Sequence, residues 1–334
     1  MAINIALELG TSYTTIFVDN YNIVLREPTA VAFLDNEENT VRAVGEEALK
    51  MQGKTGEKIN VVFPVSDGYV SDPESATLML AEFIKKIFPT RTKFFAPTLK
   101  AILSIPTGLS VEERKTYEDI LVKAGINKVE MVDKVLLGAI GADLPISDGG
   151  VIIASIGGGC SEIALVGMYS VISGCSINVG GNMMDRAIID YIVGKYGIKI
   201  SKATASRLKE ETASLYVNDI ATCEVKGLNT DTLTPTTVKV CATDLYETLQ
   251  PYYERICDGI LGIINDCPPA LAESLHNKGV FVVGGGAKIP GLKEMLAERI
   301  PLPVTIVSEP EYASVSGGGK LVSDKDLMDE INAQ

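Results

Sequence analysis

Histidine is nearly missing from this sequence. Of its 334 residues only His276 is one, and it lies in Ser-Leu-His-Asn-Lys-Gly near a predicted helix end, where a surface residue compatible with the helix dipole accounts for it. Catalytic triads that need an imidazole and histidine-containing zinc sites are therefore excluded. Cysteine is present but unpatterned: Cys160, Cys175, Cys223, Cys241, Cys257 and Cys267 form no CxxC pair and no metal-ligand spacing, so they read as buried free thiols of a reducing compartment. No apolar run approaches the roughly 18 residues of a membrane span, and the opening Met1-Ala-Ile-Asn-Ile-Ala lacks the basic start of a signal peptide, so a cytoplasmic location is expected. Basic residues are outnumbered by acidic ones, with a net charge of −13, and sequence-independent nucleic-acid binding needs a basic face. Nucleic acid is not an expected partner. Neither GxxxxGK[ST] nor GxGxxG occurs, so Walker-type and Rossmann-type nucleotide binding are not indicated.

What is there describes a well-packed globular chain: 46% hydrophobic residues, 22% charged residues and 31 glycines. Its length suits two domains. Ala2 to Val18 reads as two strands around a turn at Gly10-Thr-Ser-Tyr-Thr14. A helix is predicted after Asp72-Pro73-Glu74, with an N-cap, a proline at the first helical position, and Ala76, Met79, Leu80, Phe83, Ile84 and Ile87 at helical spacing. The buried-strand run Ala101 to Ile105 leads to a second helix that opens on the capping box Ser110…Glu113 and stops at Gly125. Further helices are predicted over Met183–Tyr196, Thr204–Val217 and Thr243–Asn265, the last kinked at Pro251, and strands over Val238–Ala242 and Val280–Val283. Glu224 to Pro235 reads as a hairpin or loop with little core of its own. Strands alternate with helices in both halves, which predicts two α/β domains facing a shared cleft.

Two segments run alike. Ile5-Ala-Leu-Glu-Leu-Gly-Thr-Ser and Ile152-Ile-Ala-Ser-Ile-Gly-Gly-Gly place Glu8 over Ser155 and Gly10 over Gly157, the pattern of a duplicated unit. Glycine lets backbone amides approach an anion unobstructed, and successive N–H groups form a nest for phosphate. Three turns qualify: Gly10-Thr-Ser-Tyr-Thr14, Gly157-Gly-Gly159 and Gly284-Gly-Gly286. A fourth triglycine, Gly317-Gly-Gly319, shows how little the pattern means without the apolar run before it.

The order and spacing of Leu9-Gly-Thr-Ser12, Glu27-Pro-Thr-Ala-Val31, Ala43-Val-Gly-Glu-Glu-Ala48, Ser104-Ile-Pro-Thr-Gly108, Gly138-Ala-Ile-Gly-Ala142, Ile156-Gly-Gly-Gly159, Val179-Gly-Gly181 and Val283-Gly-Gly-Gly-Ala287 resemble the MreB family of bacterial actins. The resemblance implies an α/β, actin-like fold of two RNase-H-like domains flanking a nucleotide cleft. Residues 1–137 plus 300–334 would form domain I, with subdomain IB near 33–66, and residues 138–299 domain II, with subdomain IIB near 180–242. It implies ATP/ADP and Mg2+ as ligands and a subunit that polymerises into paired protofilaments at the inner membrane face, for cell-shape control. By the same likeness Gly10, Thr11, Ser12, Tyr13 and Thr14 would hold the β-phosphate and Gly157, Gly158 and Gly159 the γ-phosphate. Gly284, Gly285 and Gly286 would hold the adenosine, with Lys209 and Glu210 beside ribose and base.

Against that pattern the departures cluster at the chemistry. Glu8 stands where the family has an aspartate and still reaches water around Mg2+. Ser155 replaces a second aspartate, Lys134 stands where a glutamate positions the attacking water, and Cys160 replaces a threonine. Phosphoryl transfer to water depends on such groups, so nucleotide binding with weak or absent hydrolysis is expected, with Lys134 facing the γ-phosphate. Compensation by Asp133 or Glu162 is the other reading. A non-polymerising regulator of an active paralogue, and a magnetosome or plasmid-partition actin, are the alternative roles.

Between Glu82 and Glu112 there is no acidic residue, yet Lys85, Lys86, Arg91, Lys93 and Lys100 alternate with Phe88, Phe94 and Phe95. Such a loop suits anionic lipid headgroups, and the family carries a short apolar loop there. The other reading is that Phe94 and Phe95 begin a buried strand. Membrane lipids, a membrane-anchored adaptor and MreB paralogues complete the expected partners.

Overall fold

In the computed structural model residues 2–34, 40–53, 59–89 and 97–332 are described. The chain divides into two compact units, one of residues 1–148, 166–174 and 311–334, the other of residues 149–165 and 175–310.

The first unit is built on a five-stranded sheet. Ala2–Leu9 lies at its centre, parallel to Thr98–Ile105 on one side and antiparallel to Tyr13–Val18 on the other. Lys128–Asp133 and Asn22–Pro28 form the outer strands. Side chains alternate across a strand, so Ile5, Leu7 and Leu9 share one face. They pack in a core with Met79, Leu80, Phe83 and Tyr117, Ile120 and Leu121, each large side chain contributing about 2 kcal/mol of burial. These residues lie on the two predicted helices. Pro73–Ile87 starts at Asp72, whose carboxylate accepts from Ser75 N–H at 3.0 Å, and Val111–Lys123 carries both halves of the Ser110/Glu113 capping box.

Ala6 points the other way, toward the helix Ala313–Ser323, which contains the fourth triglycine. That triglycine is no turn. It is buried in mid-helix because a Cβ at Gly317 would overlap the Leu137 carbonyl, one at Gly318 would lie 2.7 Å from Ala6 Cβ, and one at Gly319 would meet the Phe17 ring. Its partner helix, Lys134–Gly141, offers Gly141 in return, where a Cβ would overlap the Ala313 carbonyl. Each glycine costs about 1 kcal/mol of helix propensity, offset by packing of backbone on backbone. A small antiparallel sheet of Val31–Leu34, Val41–Val44 and Ile59–Val62, with the helix Glu46–Met51, encloses its own cluster of Ala30, Ala32, Ala43 and Ala48.

The second unit repeats the plan. The five-stranded sheet that holds most of its strands runs Ser170–Ile177, Ser161–Gly167, Gly150–Ile156, Val280–Val283, Val304–Ile306, with residues 166–174 counted in the first unit. Counted within each sheet the order is third, second, first, fourth, fifth strand in both. Gly150–Ile156 and Ser161–Gly167 are buried at every residue, as strands covered on both faces must be. The helix Ala242–Asn265 buries Leu245, Leu249, Tyr253, Ile256, Ile260 and Ile263 and continues unbroken through the exposed Pro251. Thr222–Asn229 and Pro235–Cys241 pair antiparallel, joined by Ile198–Lys199, and bury Val225 and Val240 completely.

The largest difference from the predicted boundaries is a helix end. The helix predicted to reach Val217 is Lys202–Thr212. Ala213 turns extended and Leu215 N–H donates to Pro290 O at 2.8 Å, so a tertiary hydrogen bond ends what the periodicity would have continued.

Candidate functional site

In the first unit the turn after Ala2–Leu9 closes with Gly10 N–H donating to Tyr13 O at 3.1 Å. A Cβ on Gly10 would stand 2.9 Å from that same oxygen. The turn is fastened from behind by Thr29, whose hydroxyl donates to Gly10 O at 2.6 Å and whose N–H donates to Ser12 O at 3.0 Å. With that proton committed, the 3.0 Å contact between Thr14 and Thr29 hydroxyls has Thr14 as donor. Gly68 N–H occupies Thr11 Oγ1 at 3.0 Å. Tyr13 lies under the Arg26 guanidinium, 3.8 Å from ring centroid to Cζ. Among the described residues the Thr11 and Ser12 amides have no partner. Thus two adjacent N–H groups stand ready for an anion, while Thr14 is buried and serves the turn from within.

Beside this turn lies an ion pair. Glu8 is at the end of its strand, and Lys134 is the first residue of Lys134–Gly141, two strands away. Lys134 Nζ reaches Glu8 Oε1 at 2.7 Å, with both side chains largely enclosed. The same carboxylate oxygen is 3.7 Å from where a Gly10 Cβ would be, which puts the pair against the turn. The preceding residue, Asp133, has a buried Oδ1 with no hydrogen-bond partner among the described residues. Desolvation raises its pKa against the pull of Arg114.

The second unit holds the matching turn, closed by Gly157 N–H donating to Cys160 O at 2.9 Å. Here too the next two amides, Gly158 and Gly159, have no partner among the described residues. The carbonyls of Gly157 and Gly158 accept from Gly181 N–H at 3.0 Å and Asn182 N–H at 2.7 Å, the opening of the helix Gly181–Tyr196. That approach requires Gly180, whose Cβ would come within 2.6 Å of Gly159. The Gly284–Gly286 turn packs on the same strand end: a Cβ at Gly284 would strike the Ile156 carbonyl and one at Gly286 the Ile156 side chain. Gly284 holds φ 87° and donates to Pro310 O at 2.7 Å, while the Tyr253 hydroxyl donates to Gly286 O at 3.0 Å. Burial pushes the Tyr253 phenol up, so it remains a donor.

Lys209 belongs to this cluster, bonded to Gly181 O at 2.9 Å and to Asp185 Oδ1 at 2.6 Å. Glu210 is exposed and accepts from Ser206 at 3.3 Å. Ser155 and Glu162 are buried in their strands, and Cys160 is buried at the turn's end. Thr29, Gly68, Gly180 and Asp185 were not foreseen as site residues. Thr29 and Gly180 lie in segments that carry the family resemblance, Glu27-Pro-Thr-Ala-Val31 and Val179-Gly-Gly181, but neither was assigned a role there.

The basic and aromatic segment is described in part. Lys85 pairs with Glu82 at 3.3 Å, Lys86 with Glu27, and Phe88 packs partly against the core. Arg91, Lys93, Phe94 and Phe95 lie outside the described residues.

The family model for MreB/Mbl protein matches residues 2–330. This chain belongs to the MreB/Mbl family. The cell shape-determining protein MreB of Escherichia coli (strain K12) is 32% identical over 329 residues, covering 97% of this chain and 94% of the relative. The cell shape-determining protein Mbl of Bacillus subtilis (strain 168) is 30% identical over 327 residues, 97% of each. Among solved structures, MreB5 of Spiroplasma citri bound to ADP superposes with a TM-score of 0.90 at 26% identity, over 100% of this chain and 99% of that one. A MamK double helical filament, at 18% identity, shares the fold with a TM-score of 0.80 over 97% and 99% of the two chains. The fold is therefore actin-like, as the family resemblance implied, and the repeated strand order is its internal duplication.

Fit to a ligand divides by chemistry. Both turns present two adjacent amides with no partner among the described residues, and so fit phosphate oxygens. The first turn fits Mg2+ poorly: Glu8 beside it is engaged by an ammonium, and among the described residues no three acidic, histidine or cysteine side chains gather as a metal site.

Proposed function

We propose that this MreB-family chain is an actin-like filament subunit that binds ATP and ADP through its glycine turns and assembles at the inner face of the cell membrane in shape control. The carrying observation is the repeated turn: Gly10–Tyr13 and Gly157–Cys160 close with the same hydrogen bond and leave the same two amides unpartnered among the described residues. Support also comes from relatives named as cell shape-determining proteins and from a neighbour solved with ADP. Hydrolysis is weak or absent, because Lys134 and Ser155 stand where a carboxylate would position water and orient a metal. The filament is cytoplasmic and peripheral, made of paired protofilaments. Its lipid contact is made by the segment around Phe94 and Phe95 and reinforced by avidity along the polymer, with a membrane-anchored adaptor and paralogues as further partners.

The altered positions also favour a second reading, a non-polymerising regulator of an active relative. Negative-stain electron microscopy of the purified protein with and without ATP separates them. Nucleotide-dependent filaments support the first, and their absence at assembly concentrations of related MreBs refutes it.

A further inference from the structure

We infer that the Lys134 ammonium is a built-in cation for the nucleotide phosphates, so that this chain binds nucleotide without a divalent ion. The inference rests on the nucleotide reading above and assigns its charge balance.

Three observations within the first unit carry it. Lys134 Nζ is held 2.7 Å from Glu8 Oε1, and that oxygen lies against the turn whose Thr11 and Ser12 amides have no partner among the described residues. The position is fixed rather than adventitious, since Lys134 is the first residue of a helix clamped backbone to backbone against Ala313–Ser323. And both side chains are mostly enclosed, so the charge acts in a medium of low dielectric.

A nucleotide polyphosphate is met elsewhere by Mg2+ because its clustered negative oxygens need a compact cation close by, and Mg2+ itself demands a shell of oxygens, usually one or two carboxylates plus phosphates. Here the carboxylate that would reach that shell is neutralised by a lysine, and an ammonium beside the site repels a divalent cation. The lysine answers the same need directly, because an ammonium makes charge-assisted hydrogen bonds with phosphate oxygens.

The test is equilibrium binding of ADP and of AMPPNP, by titration calorimetry, in EDTA and in excess MgCl2. Wild-type affinity is expected to agree between the two buffers within about threefold, and Lys134→Met to lose at least about tenfold in EDTA, with Lys134→Arg recovering most of it. Binding that requires Mg2+, or that survives Lys134→Met unchanged in EDTA, overturns the inference and leaves the nucleotide reading standing. Absence of binding in both buffers overturns both. Should Lys134→Met fail to fold, the wild-type comparison decides the divalent requirement, and Lys134→Gln reads out the contribution of the charge.

Discussion

Lys209 Nζ lies 2.6 Å from Asp185 Oδ1, joining the last turn of one helix to the first turns of another, with the carboxylate almost entirely withdrawn from water and the lysine mostly so. Burial raises the Asp185 carboxyl above its ordinary value of 3.8, with Lys209 pulling it back. Since the folded carboxyl holds its proton more tightly than the unfolded one, stability falls as pH rises from the unfolded value through the raised one. Lys209→Met removes the compensating charge and raises the carboxyl further. It should cost about 3 kcal/mol near neutrality and distinctly less at acid pH, where Asp185 takes up its proton. Urea melts at the two pH values measure this, and Asp185→Asn in the Lys209→Met background should recover part of the loss.

Gly317 and Gly194 give opposite signs for one substitution. A Cβ at Gly317 overlaps the Leu137 carbonyl, whereas one at the helical, exposed Gly194 meets nothing within 4 Å. Gly317→Ala is expected to destabilise by about 2–4 kcal/mol and Gly194→Ala to stabilise by about 0.5–1 kcal/mol. Chemical denaturation of both variants checks the pair.

Thr29 fastens the first turn without facing its open amides. Thr29→Val keeps the shape and removes the hydroxyl that donates to Gly10 O and accepts from Thr14. Stability should drop by about 1 kcal/mol, while ADP affinity falls about tenfold because the amides lose their fixed direction. Calorimetric binding alongside a thermal melt distinguishes the two effects.

Hydrolysis should return when carboxylates are restored. Phosphate release by Lys134→Glu/Ser155→Asp with MgCl2 is expected to exceed wild type by on the order of a hundredfold. A wild-type turnover equal to that of active MreB proteins would defeat the weak-hydrolysis reading.

Phe94→Ala/Phe95→Ala should reduce co-sedimentation of filaments with vesicles of mixed anionic and neutral lipids, and added salt should weaken wild-type binding further through the neighbouring lysines. Unchanged sedimentation would remove this segment from membrane attachment.

What the sequence disclosed was whatever it encodes locally. The Asp72-Pro73 start, the Ser110/Glu113 box and the turn at Gly10 are each written within a few residues, and the structure has them. Ala313–Ser323 was hidden because its three glycines signal a turn by propensity, and only the facing backbone of Leu137 and Gly141 makes them helical. The end of Lys202–Thr212 depends on Pro290, far along the chain. In the candidate site the three glycine turns were legible, but their fastening by Thr29, Gly68 and Gly180 was not. Nor was the pairing of Glu8 with Lys134, since strand order rather than spacing brings them together.

The clamp between Lys134–Gly141 and Ala313–Ser323 has a mechanical side. Where backbone rests on backbone there are no rotamers to absorb displacement, and Lys320 adds a tether from one helix to the final carbonyls of the other, at 3.0 Å to Ile140 O and 3.1 Å to Gly141 O. The two helices therefore travel as a single strut. A displacement of Lys134 moves Ala313–Ser323 with it, and with that helix the segment Lys325–Asn332 that follows directly.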